Sequence, residues 1–141
     1  MPSHLRILTA VCIAVCCSTV AAQEPTETPV APTEDEYYRL LRFKIPKTMN
    51  LEVGAIEVMP NGTLAVGTRR GDIYAVHNAW SDDPSGAEFE LYASGLHEVL
   101  GLSWNAGWLY ATQRCEVTRL RDSDEDGVAD EFETFNDDWG I

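Results

Sequence analysis

From Tyr37 onward, short apolar runs alternate with polar turn signals. Residues 55–59, 63–68, 72–77 and 88–93 are four such runs, and their length and composition predict strands. Pro60-Asn61-Gly62 separates the first two, a hairpin signal because Asn and Gly tolerate positive φ. Arg70-Gly71 marks the next turn, and a polar loop over 81–86 leads to the fourth run. The pattern then begins again, with runs at 100–104, 108–113 and 117–121 and turns at 105–107 and 114–115. Laid over one another, Leu64 meets Leu109, Thr68-Arg69 meets Gln113-Arg114, and Gly71-Asp72-Ile73 meets Cys115-Glu116-Val117, at an offset of 44 or 45 residues.

Repeats of about 40–50 residues with four short antiparallel strands are the sequence signature of β-propeller blades. The expected fold is therefore all-β, with blades over about 50–94 and 95–136 and the start of a third at 137–141. Blades bury their faces against neighbours, and a ring needs at least about four of them, on the order of 180 residues. Only 105 residues run from Tyr37 to Ile141, so 37–141 is expected to be an incomplete propeller. A small, self-contained β-sandwich is the alternative.

The first 36 residues read differently. Residues 1–22 combine Arg6, an apolar run at 7–15 and a small-residue end at Val20-Ala21-Ala22, the pattern of a secretory signal cleaved after Ala22. The run is too short for a membrane span. Residues 23–36, QEPTETPVAPTEDE, bury nothing and read as a disordered, extended linker. The expected location is outside the cytoplasm: periplasmic, secreted or at the cell surface.

Charge and cysteine content narrow the partners. The formal net charge is −13; residues 1–22 hold one of the ten basic residues and none of the 23 acidic ones, leaving −14 beyond them. Such a polyanion repels phosphate backbones, so nucleic acid is not an expected partner. Cys12, Cys16 and Cys17 leave with the signal, so Cys115 has no intrachain partner afterwards. An exported domain without disulfides needs a large core or a bound metal for stability.

The acidic residues point to the metal. Ten of the 23 lie between Glu116 and Asp138. Residues 122–133 read DSDEDGVADEFE, which meets the calcium-loop pattern. Asp122, Asp124 and Asp126 fall at positions 1, 3 and 5, Gly127 at the sharp turn, Val128 at 7, Asp130 at 9 and Glu133 at 12. Calcium takes six to eight oxygens at about 2.3–2.6 Å, and alternate carboxylates on a curled loop converge to supply them. The ligands expected are the carboxylates of Asp122, Asp124, Asp126, Asp130 and Glu133 and the Val128 carbonyl. Residues 117–121 enter the loop as a strand, so this is a structural calcium loop between two strands rather than an EF-hand. The alternative is a solvated acidic turn.

Weaker candidates have plain structural readings. His97, beside Glu98 between the repeats, reads as a hydrogen-bonded loop residue before a general base. Arg69 and Arg114 recur at equivalent places, which predicts a structural duty such as bonding a neighbouring turn. Trp80, Trp104, Trp108 and Trp139 read as packing residues. Asn61-Gly62-Thr63 is a glycosylation triplet that the hairpin turn already explains.

The stretch 54–74, GAIEVMPNGTLAVGTRRGDIY, resembles the first blade of the soluble quinoprotein glucose/sorbosone dehydrogenase family, with its pattern PDG-x-L-x-V-x-x-R-x-G-x-I. Residues 95–98, 112–114 and 118–122, running into the acidic loop, resemble one branch of it: large secreted bacterial proteins called membrane-bound dehydrogenases, often with a C-terminal cytochrome c domain. The likeness spans about 37–141. Asn61 stands where the family has Asp, and Cys115 where it has Gly. The resemblance implies a six-bladed propeller, calcium, pyrroloquinoline quinone (PQQ), and oxidation of a sugar or aldehyde with electrons passed to a cytochrome or other acceptor. It also implies that the catalytic histidine and the basic quinone-binding residues lie in later blades, so this chain alone is expected to be inert and no catalytic role falls on His97. The second expectation is a non-catalytic, calcium-stabilised propeller that binds carbohydrate or protein at a cell surface.

Overall fold

The computed structural model describes residues 31–139. The signal segment 1–22 and linker residues 23–30 lie outside the described residues, as do Gly140 and Ile141. The chain divides between Tyr38 and Arg39 into two units. In the first, a single helical turn α1 (Glu34–Tyr37) interrupts what the composition predicts to be extended. Its cause is local: Glu36 Oε1 accepts from Thr33 N–H at 3.4 Å while Glu36 N–H donates to Thr33 O at 3.1 Å, closing the first turn. Among the described residues no helix is long and apolar enough to cross a membrane.

The second unit is all-β. Its strands are β1 (Val53–Val58), β2 (Leu64–Thr68), β3 (Ile73–His77), β4 (Glu88–Ala93), β5 (Gly101–Asn105), β6 (Trp108–Thr112), β7 (Val117–Arg121) and β8 (Glu131–Asn136). They form two four-stranded antiparallel sheets, ordered β1-β2-β3-β4 and β5-β6-β7-β8. Seven strands follow the apolar runs to within two residues at each end. The eighth begins inside the twelve-residue acidic segment, because Glu131 and Glu133 pair with Arg121 and Arg119 across the sheet. Opposite charges at directly facing positions stabilise a strand pair.

The sheets stack with β5 against β1 and β2. Ala65, Ile73 and Ala75 of the first meet Leu109, Ala111 and Leu120 of the second, with Val99 from the connecting segment between them. Alternation along a strand places Leu64, Val66 and Val76 on the opposite face from Ala65 and Ala75. The repeat alignment equates Leu64 with Leu109, and the register equates Leu64↔Val76 with Leu109↔Leu120. The face that the second sheet turns toward the first is thus the face that the first sheet turns away. The two sheets stack in the same sense, and each end of the stack leaves one face without a sheet against it among the described residues. On the first, Phe43, Leu51 and Val53 partly cover Val66 and Val76, and Phe43 meets Phe89 edge-to-face at 6.4 Å. Ile56 remains 57 % and Val58 50 % exposed there, and Phe135 is 58 % exposed at the other end.

The connection between the sheets is tied down by both repeats. Arg69 donates to Glu98 Oε1 from Nε at 3.0 Å and Nη2 at 2.6 Å, and Arg114 Nε lies 3.9 Å from Glu98 Oε2. The Arg69 bond holds the Glu98 carboxyl below its ordinary pKa. Leu96 N–H donates to Gly71 O at 3.0 Å, and Val99 N–H to Thr68 O at 3.1 Å. Gly71 has φ +89°, and a Cβ there would stand 1.8 Å from Leu96 O. Gly62 has nearly the same backbone, φ +83°, with nothing within 4 Å. Gly62→Ala should therefore cost only the left-handed penalty of about 1–2 kcal/mol. Gly71→Ala adds a backbone collision and should cost at least about 3 kcal/mol in urea unfolding.

Candidate metal centre

The acidic loop leaves β7 at Asp122 and closes when Asp130 N–H donates to Arg121 O at 3.1 Å. Within it, Asp122 accepts from Asp126 N–H at Oδ1 (3.2 Å) and from Gly127 N–H at Oδ2 (2.8 Å). Asp126 Oδ1 accepts from Val128 N–H at 2.9 Å. Glu125 at φ 63° and Gly127 at φ 94° make the tight curl, and Gly127 adopts it without the penalty that a Cβ brings. The curl brings carboxylate oxygens of Asp122, Asp124 and Asp126 to within 4.8 Å of one another. Oxygens held about 2.3–2.6 Å from one ion can lie no more than about 5 Å apart, so this donor set fits calcium in both hardness and spread.

The other three expected ligands are placed differently. Asp130 accepts from Ser123 N–H at 2.8 Å and from Ser123 Oγ at 2.7 Å, bonds that lower its pKa. Val128 is engaged through its N–H, and its side chain is exposed. Glu133 lies on β8, where its Oε2 accepts from Arg119 Nε at 2.7 Å. The twelve-residue spacing presumes a helix after the loop, which would carry position 12 back toward the ion. A strand carries Glu133 to Arg119 instead.

The loop also reaches the first sheet. Ala129 is buried at 7 % exposure and donates its N–H to Tyr92 O on β4 at 2.7 Å. Tyr92 is 5 % exposed, and burial, followed by the Asp122 charge, raises its pKa. An open cleft of about 450 Å³ lies beside it, lined in part by Asn61, His77, Glu90, Trp104 and Asp122.

The remaining candidates resolve into structural contacts. His97 N–H donates to Gln113 Oε1, and its Nδ1 lies 3.9 Å from Cys115 Sγ. Asn61 Oδ1 accepts from Thr63 N–H at 3.0 Å, building the turn its sequence predicts. Trp80 departs from a packing role: it is 66 % exposed, and its indole N–H donates to Gly62 O at 2.7 Å. Trp108 packs under the guanidinium groups of Arg119 and Arg121, 4.5 and 4.4 Å from its ring centroid. Arg69, Arg70, Arg114, Arg119 and Arg121 each face a carboxylate. These side chains do not form a cradle for an anionic quinone.

The metal-free loop carries its own repulsion. The Asp126 charge raises the pKa of Asp124 above the ordinary carboxylate value. A carboxyl whose folded pKa is raised destabilises the fold when ionised, so that penalty is relieved as pH falls through the raised value. Asp124→Asn should raise the melting temperature of the metal-free chain at neutral pH. It should also weaken calcium binding by at least about tenfold. Thermal melts in chelator and calcium titrations check the two signs separately.

No protein-family model, no curated protein and no solved structure matches this chain.

Proposed function

We propose that this chain supplies calcium-stabilised blades of an exported β-propeller of the quinoprotein glucose/sorbosone dehydrogenase type. The observation that carries the reading is the same-sense stacking of two four-stranded sheets. Each repeat offers one face to the repeat before it and one to the repeat after it, and a stack of that kind completes its burial by closing into a ring. Ile56, Val58 and Phe135 mark the two faces where neighbouring blades would dock. Calcium would be held by Asp122, Asp124 and Asp126, cancelling their mutual repulsion and fixing the loop whose Ala129 bonds the neighbouring sheet. Its role is structural. Oxidation of a sugar or aldehyde by PQQ belongs to the closed ring, with the quinone held by residues of other blades. The second reading is a non-catalytic calcium-stabilised propeller binding carbohydrate or protein; Arg69, Arg119 and Arg121 are paired with carboxylates, so the residues that distinguish the two readings would lie in other blades.

Calorimetric titration with calcium should show binding and a rise in melting temperature. Absence of both at millimolar calcium would sink the metal reading. Sequencing the transcript past codon 141 should reveal further repeats of about 45 residues. A histidine and clustered lysines or arginines on their loops would favour the dehydrogenase, and their lack the binding propeller. A stop at that point in a stably secreted product would leave a self-contained calcium-binding β-domain.

A further inference from the structure

The cleft of about 450 Å³ between the two sheets falls within the range of small-molecule sites, about 300–1,000 Å³. Met59 and Trp104 give it an apolar and aromatic wall, and buried Tyr92 lies beneath. Three acidic residues, Glu90, Asp122 and Glu125, are in the lining, with Asp122 also accepting from the Asp126 and Gly127 N–H groups of its own loop. The basic groups beside them are engaged. Arg121 Nε donates to Glu131 Oε2 at 2.6 Å, and its guanidinium stacks on Trp108. His77 Nε2 lies 3.2 Å from Glu90 Oε2.

A cleft with low-dielectric walls and one dominant sign of charge focuses its field on the interior. Here the field is negative, and Asp124 and Asp126 of the adjoining loop strengthen it. Anions are repelled. A bare inorganic cation would satisfy the carboxylates but leave Met59 and Trp104 facing water. A cation carried on a carbon frame uses both, because the indole ring attracts an ammonium group as well as packing against its methylenes.

We propose that this cleft binds a small organic ammonium ion. The proposal stands on the cleft itself and not on the metal reading. Asp122 is common to both sites, so a cation in the loop weakens ammonium binding, and the effect is reciprocal.

Choline is a suitable probe, with 3,3-dimethylbutan-1-ol as a control of the same shape without the charge. Both are titrated into the full chain, in chelator and at saturating calcium, while the Trp104 indole resonance is followed by NMR. Choline should bind saturably in the millimolar range, and the neutral alcohol at least about tenfold more weakly. Glu90→Gln, at an exposed position, should weaken choline by about threefold or more while leaving the amide spectrum folded. Failure of choline to saturate in both conditions, equal binding of the alcohol, or unchanged affinity in Glu90→Gln would each overturn the proposal.

Discussion

A methyl group on Gly67 would stand 2.4 Å from Val99 Cγ1, closer than packed carbons can come. The second sheet approaches the first only because that position has no side chain and its neighbours Ala65 and Ala75 are small. Val99 fills the gap completely and is itself fully buried. This contact sets the distance between the sheets, and several other features depend on it. It puts Glu98 where Arg69 and Arg114 both reach it, and it brings β5 onto β1 and β2. It also sets the spacing at which Ala129 of the acidic loop reaches Tyr92. In the first sheet small residues (Ala65, Gly67, Ala75) take one face and Leu64, Val66 and Val76 the other, while the second sheet meets those small residues with Leu109, Ala111 and Leu120, so the stacking is not between like faces.

Electrostatics is organised around the same frame. A chain of net charge −13 carries strong internal repulsion, and two groups of its carboxylates are handled differently. Glu98, Glu131 and Glu133 sit on arginines, two of them in cross-strand pairs above Trp108. Exposed pairs of this kind contribute little individually, about 0–1 kcal/mol, but they fix register along β7 and β8. The aspartates of the loop have no such cation. They are held together by backbone N–H groups, which orient the oxygens without cancelling their charge. That residual repulsion is what a divalent cation in the loop would cancel.

The strand pattern was largely legible in the residues. Residues 88–93 and 117–121 coincide with β4 and β7, because short apolar runs between Gly, Asn and Arg turns have few other ways to satisfy their backbone groups. The equivalence of Arg69 and Arg114 was visible as repetition, but their shared target was not, since Glu98 belongs to neither repeat's turn. β8 was hidden within the acidic segment, where a calcium-loop reading extends to Glu133. Only pairing with Arg119 and Arg121 shows that the strand begins at Glu131.

Local features were legible in the residues alone: the strands, their turns, the repeat of 44 or 45 residues and the cluster of Asp122, Asp124 and Asp126. Each depends on interactions within a few residues, such as alternation, positive φ at Gly62 and Gly127, or carboxylates at every second position. Tertiary structure decided which face of each sheet is covered, where Glu133 points and that a cleft opens beside the loop. Where Glu133 points follows from the pairing of β8 with β7, and the covered faces and the cleft follow from how closely the two sheets approach, a distance limited by a glycine and a valine 32 positions apart that no local pattern brings together.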